Sequence, residues 1–297
     1  GEHLENSRYA HLLRTLYQVF GASHLLGCEV SQLTFALALI VFSEMIECLE
    51  LGAYRARLIL FFGLPPSMVL NTSVVMRESA QILFFLLFCL SLLKLRRGES
   101  SSWMAVTIAA ITCLIFLHKA YAILLFFTVL PFLGALWNRK ALLVVVALFG
   151  VAFVGVFGGR ILNKLRQTSQ ALDRVSSESG IDYVSKYATR VNESRTSFSG
   201  NLNFSSPVAF AISYPKILLQ YLYSPFPWQI RGMKDLYGLF ESFLRMGLSI
   251  LALKTLTDRR QRGAVGFLLF IWIEIEGLWA AGTANWGTAF RHRLIGW

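Results

Sequence analysis

Ala141-Leu-Leu-Val-Val-Val-Ala-Leu-Phe-Gly-Val-Ala-Phe-Val-Gly-Val-Phe-Gly158 contains no charged side chain. At about 1.5 Å of rise per residue, a helix of that length approaches the roughly 30 Å thickness of a hydrocarbon core. Working outward from it, further apolar runs lie at 31–50, 58–76, 80–95, 103–117, 120–137, 236–254 and 264–281. The whole chain agrees with them: 55% of its residues are hydrophobic, 15% are charged, and mean hydropathy is +0.56. A soluble domain carries about a quarter charged residues, so the pattern predicts an all-α, polytopic transmembrane helical bundle. Residues 1–297 read as a single transmembrane domain. The start at Gly1, the absence of a signal peptide and the end at Trp297 lead us to expect a fragment of a longer chain.

The run at 58–76 contains Pro65 and Pro66, which remove backbone donors and should break or kink the helix. Such a break survives in a membrane where other protein groups satisfy the freed carbonyls.

A net charge of +11 would point to nucleic acid in a soluble protein. Here the basic residues gather in short connections between apolar runs, which is how topology determinants are distributed, and nucleic-acid binding is set aside. Lys94, Arg96 and Arg97 form one such turn, Arg139 and Lys140 another, and Lys254, Arg259, Arg260 and Arg262 a third; Arg55 and Arg57 precede the Pro-Pro segment. Placing all four in the cytoplasm lets every span alternate without conflict. Residues 1–30, the Asn71–Ser79 turn, the His118-Lys119 turn, a long loop at 160–223 and the C-terminal stretch then share the outer, periplasmic side of an inner membrane. The segment from Val208 to Trp228, rich in Tyr, Phe, Trp and Pro, reads as interfacial or re-entrant.

Cys28, Cys48, Cys89 and Cys113 have no paired spacing and read as packing residues; no metal site and no cofactor are expected. Walker, dinucleotide-binding and HExxH patterns are missing from the sequence. Asn71, Asn192 and Asn203 match the glycosylation acceptor pattern, which is short enough to arise by chance. Acidic residues inside spans are the costly feature, at roughly 2.5 to 3.5 kcal/mol each by insertion scales. Glu241 and Arg245 are spaced for an ion pair along one helix. Glu274 and Glu276 have no obvious local partner and would suit a polar cavity. Glu44, Glu47 and Glu50 share a helical face that Arg55 and Arg57 can neutralise.

The outer side collects basic groups at helix ends: Arg77 beside Glu78, His118 beside Lys119, Arg190 and Arg195 in the loop, and Arg291, His292 and Arg293 near the C-terminus. Guanidinium groups bind phosphate oxygens bidentately and stay charged, so the set suits a phosphate-bearing anion. Taken singly, each of these residues is more readily a headgroup anchor; it is the set that points to a ligand. Gly282-Thr-Ala-Asn-Trp-Gly-Thr-Ala-Phe-Arg-His-Arg293 combines glycines, hydroxyl and amide side chains and packed positive charge, the ingredients of an oxyanion cradle. His292 titrates near neutrality in water and suits general acid or base work.

Leu64-Pro-Pro-Ser67, Val75-Met-Arg-Glu-Ser79, Tyr223-Ser-Pro-Phe-Pro-Trp228 and Asn285-Trp-Gly-Thr-Ala-Phe-Arg-His-Arg293, separated by apolar runs and one large loop, together resemble the O-antigen and exopolysaccharide polymerases of bacterial polysaccharide synthesis. They also resemble the wider class of multi-spanning glycosyltransferases that use polyprenyl-linked sugars. The resemblance implies a glycosyltransferase that needs no metal and acts on a polyprenyl diphosphate-linked glycan at the outer face, alongside other membrane proteins of polysaccharide assembly. It implies that Arg77, Arg190, Arg195, Asn285, Arg291 and Arg293 bind substrate, and that His292 or Glu78 deprotonates the acceptor hydroxyl. Some polymerases space an outer-loop Arg from a Gly by one residue more than the nine between Arg190 and Gly200 here, which leaves Arg190 off that pattern. Two alternatives stand beside it: a lipid-linked oligosaccharide flippase, which would need a mid-membrane cavity around Glu274 or Glu276, and a non-catalytic subunit of a membrane assembly.

Overall fold

The computed structural model describes residues 8–75, 77–118, 121–124, 128–129, 207–259, 261–283 and 286–295. The charge-free run at 141–158, the span expected at 120–137 for most of its length, and the loop from 160 to 206 lie outside the described residues. The chain divides into two compact units, Gly1–Leu124 with Gly200–Trp297, and Leu125–Ser199. Every helix named below belongs to the first.

Among the described residues there is no strand. The helices are α1 (Arg8–Phe20), α2 (His24–Cys48), α3 (Arg55–Gly63), α4 (Pro66–Thr72), α5 (Glu78–Arg96), α6 (Ser102–Leu117), α7 (Pro207–Tyr223), α8 (Leu236–Thr255), α9 (Arg262–Gly282) and α10 (Trp286–His292). Four of them, α2, α5, α8 and α9, are long and apolar enough to cross a membrane. α6 is apolar but shorter.

α5 is the axis of this unit. Of its most apolar stretch 72% is buried, against 17% for α2, 22% for α8 and 28% for α9. α2, α4 and α6 pack against α5, while α7 packs against α8, α9 and α10. The peripheral helices turn large apolar side chains outward, Leu33 and Ile40 on α2 and Phe240, Ile250 and Leu251 on α8 among them. An outward apolar surface is what a hydrocarbon surrounding requires and what water would penalise.

The expected span at 58–76 is two short helices instead. Pro65 is extended, Pro66 opens α4 at the position where its missing N–H costs nothing, and the next donor, Ser67 N–H, reaches Glu241 Oε1 on α8 at 2.6 Å. A carboxylate from another helix thus caps the break. Asn71 lies inside α4 and donates to the Ser67 carbonyl at 2.7 Å.

The segment expected to be interfacial or re-entrant is also different. Its first part is the helix α7, with Pro215 inside it and the Tyr214 hydroxyl filling a notch that Gly277 leaves on α9, where an added Cβ would come within 2.6 Å. Only Ser224 to Asp235 is irregular, apart from two short 3₁₀ turns. There Phe226 and Trp228 stack at 4.9 Å, and the Arg231 N–H donates to Asp235 Oδ2 at 3.0 Å.

Among the described residues, the basic turns after α5 and before α9 lie at one end of the bundle with the end of α2, while the Arg139-Lys140 turn lies outside the described residues. Arg97 lies 3.7 Å from Glu50 at the end of α2, and Arg96 donates to the Gly263 carbonyl at the start of α9. Arg55 pairs with Glu47 at 3.5 Å, as their shared face led us to expect. None of the four cysteines forms a disulfide.

Candidate functional site

At the opposite end, where α5 begins and α9 finishes, the polar groups converge. Glu78 is the first residue of α5, where the helix dipole favours a carboxylate. Its side chain is 3% exposed, and Oε1 accepts from Arg291 Nη2 at 2.6 Å, although these residues are 213 positions apart. Arg291 itself is 45% exposed. The second carboxylate oxygen, Glu78 Oε2, is buried and has no hydrogen-bond partner among the described residues. An acceptor in that state is ordinarily completed by water or a ligand hydroxyl.

His292 follows on α10. Its Nδ1 lies 3.0 Å from Thr283 Oγ1, and its ring stacks on Trp279 at 4.3 Å. The other rings against Trp279 are His118 at 4.7 Å and, edge-on, Tyr121 at 6.0 Å. Burial, and then the positive charge of Arg291 and the neighbourhood of His118 and Arg77, push the His292 pKa from 6.5 down to about 4. The imidazole is therefore neutral at pH 7 and has a lone pair to offer. Arg77, half-buried at the turn before α5, is close enough for its charge to act on His292.

Arg293 does something else. Residues two apart on a helical turn point to opposite sides, and Arg293 turns inward where Arg291 turns outward. Its Nη1 donates to the Leu222 carbonyl at 2.8 Å and its Nη2 to the Ser224 carbonyl at 2.9 Å, and its guanidinium lies 4.5 Å from the centre of the Phe290 ring. At 3% exposure it has no surface to offer a substrate. Of the other expected site residues, Arg190, Arg195 and Asn285 lie outside the described residues.

What fixes α10 in place is a buried charge cluster. Arg245 Nη1 pairs with Glu276 Oε1 at 3.0 Å, with side-chain exposures of 5% and 1%, and Arg245 Nη2 donates to the Arg293 carbonyl at 2.7 Å. Glu241 and Arg245, expected to pair along α8, both bond to other elements: Glu241 accepts from the Ser67 N–H, and Arg245 donates to Glu276 and to the Arg293 carbonyl. Glu276 thus has a partner on the neighbouring helix α8. The gap among Ser67, Glu241, Arg245, Phe290, Arg293 and Leu294 holds about 10 Å³, room for about one water molecule.

Sequence reasoning overlooked Trp279, Thr283 and the Arg245–Glu276 pair. A signal was present: Glu276, Trp279, Ala280 and Thr283 recur at helical spacing on one face of α9, and all four are buried. Comparison with protein-family profiles, curated proteins and solved structures finds no match to this chain.

Proposed function

We propose that the chain is a membrane glycosyltransferase of the polysaccharide-polymerase type, acting on a polyprenyl diphosphate-linked glycan at the periplasmic face of the inner membrane. The observation that carries this reading is the approach of Arg77, Glu78, His118, Arg291 and His292, from three separated stretches of sequence, at one end of helices long enough to span a bilayer. That end is where a lipid-linked diphosphate would present its sugar.

In the reaction, the acceptor hydroxyl attacks the anomeric carbon of the donor sugar, the bond from that carbon to the diphosphate oxygen breaks, and the hydroxyl proton passes to His292. Arg291, exposed and held at one nitrogen by Glu78, and Arg77 carry the charge of the departing diphosphate. A bound diphosphate offsets the cations that depress the His292 pKa, so the base strengthens when the substrate is present. Glu78 aims Arg291 and keeps Oε2 for a hydroxyl hydrogen. Arg293 positions the stretch by holding the end of α7.

The test is complementation of a polymer-deficient strain with Arg291→Gln, His292→Asn and Glu78→Gln, at matched membrane abundance. Loss of polymer length with retained abundance supports the reading. Normal polymer from Arg291→Gln and His292→Asn together would sink it. Arg293→Ala is a poor probe, because its failure would report folding.

A further inference from the structure

The basic end of the bundle holds a second concave site. A groove of about 530 Å³ opens between the end of α2, the end of α5 and the start of α9, with Arg96, Arg97, Glu50 and Gln261 among apolar walls that include Leu51 and Leu93. That size lies within the range of small-molecule sites. All three helices are long enough to cross a membrane and all three have an end here, so the groove sits at headgroup depth. Lys94 over the Trp103 ring, 5.8 Å from its centre, places an aromatic residue near the same level, as at other membrane interfaces.

The groove is built, in the sense that its charges are held. Arg96 donates to the Gly263 carbonyl and lies 5.9 Å from the centre of the Phe267 ring. The guanidinium lies close over Gly263, where an added Cβ would come within 2.5 Å of it and the arginine would have to shift. On the other side, Glu50 ends α2 at φ 60°, the left-handed conformation that glycine or asparagine ordinarily supplies. The side chain found there is a 71% exposed carboxylate, 3.7 Å from Arg97. The site therefore offers two guanidinium donors for a phosphate and one carboxylate acceptor for a hydrogen-bearing group next to it.

We propose that this groove binds the phosphodiester of a phospholipid whose headgroup also carries a hydrogen-bond donor, an ammonium or a hydroxyl, with phosphate on Arg96 and Arg97 and the donor on Glu50. Phosphatidylethanolamine and phosphatidylglycerol meet that description; phosphatidylcholine, whose nitrogen is fully methylated, does not. The site is independent of the one at the Glu78 end.

The experiment is lipid titration of the purified full chain in detergent, read by native mass spectrometry. Phosphatidylethanolamine and phosphatidylglycerol should bind about tenfold more tightly than phosphatidylcholine, the scale of one charge-assisted hydrogen bond. Arg96→Gln with Arg97→Gln should weaken both favoured lipids. Glu50→Gly relieves the backbone and should leave the melting temperature equal or higher while erasing the preference over phosphatidylcholine. A melting curve for each variant separates lost binding from lost folding, and Arg97→Gln alone, at an exposed side chain, keeps the test available if the double variant unfolds. Equal binding of phosphatidylcholine, or unchanged preference in Glu50→Gly, overturns the proposal. Displacement of bound lipid by millimolar inorganic phosphate also overturns it, since the arginines would then hold a free oxyanion.

Discussion

Arg245 with Glu276 and Arg291 with Glu78 are both guanidinium–carboxylate pairs between sequence-distant residues, at 3.0 and 2.6 Å. The shorter contact is the weaker structural element. Arg245 and Glu276 are buried together, and the guanidinium also holds the Arg293 carbonyl, so neither group has water to return to if its partner is lost. Arg291 is nearly half exposed, and solvent screens its attraction to Glu78. Distance ranks the two pairs one way and burial the other; burial decides what each pair can be used for. The buried pair is scaffold, while the half-exposed guanidinium of the second pair, held by Glu78 at one nitrogen, keeps further donors for a substrate oxyanion.

The largest expected effect breaks the buried pair. Glu276→Gln or Arg245→Met should cost roughly 3 to 5 kcal/mol by leaving one charge unpaired, measured as lost resistance to denaturation in detergent. Replacing both with apolar residues of similar volume should recover most of that loss. Failure to recover would mean the cluster does more than neutralise itself.

The next effect is pH-dependent. Because His292 has a folded pKa near 4 and an unfolded one near 6.5, the unfolded chain takes up the proton first as pH falls. The folded state loses stability from about pH 6.5 down to about pH 4, and loses none of it on this account above that window. His292→Asn should flatten the melting temperature across the window. A slope that persists in the variant would assign it to other groups.

Gly238→Ala should cost roughly 1 to 3 kcal/mol, as overpacking commonly does. A Cβ there would overlap the Phe290 ring that seats α10 on α8. Arg291→Gln should cost roughly 1 to 3 kcal/mol, less than breaking the buried pair, because the lost guanidinium is half solvated while Glu78 stays buried with one charged donor fewer. Under the proposed function the same change removes polymer, and that contrast between stability and activity is the sharpest form of the comparison.

Much of the bundle could be read in the chain. α2, α5, α8 and α9 follow from apolar length, and the α3–α4 break follows from Pro65-Pro66. Arg77, Glu78, Arg291 and His292 were legible as a set because each sits at the end of an apolar run on the same side. The pairing inside the bundle was not legible. Helical spacing permits Glu241 to pair with Arg245, and nothing local to α8 reveals that Ser67 and Glu276 also bond to them. The helix α7 was obscured by Pro215, which argues locally against a helix that packing against α8, α9 and α10 nevertheless holds.

The pairing of Arg245 with Glu276 has a consequence for biosynthesis. α8 leaves the ribosome before α9, so Arg245 enters the lipid phase while Glu276 has yet to be made. An unneutralised arginine near mid-bilayer costs roughly 2.5 to 3.5 kcal/mol on insertion scales. Glu241, one turn earlier on the same helix, is spaced to shield it until α9 arrives; in the folded protein the carboxylate accepts from Ser67 and the arginine donates to Glu276. Glu241 would then act as an escort during synthesis and a clasp afterwards. Nascent chains truncated before α9 should lose insertion of α8 on Glu241→Ala more severely than full-length chains do.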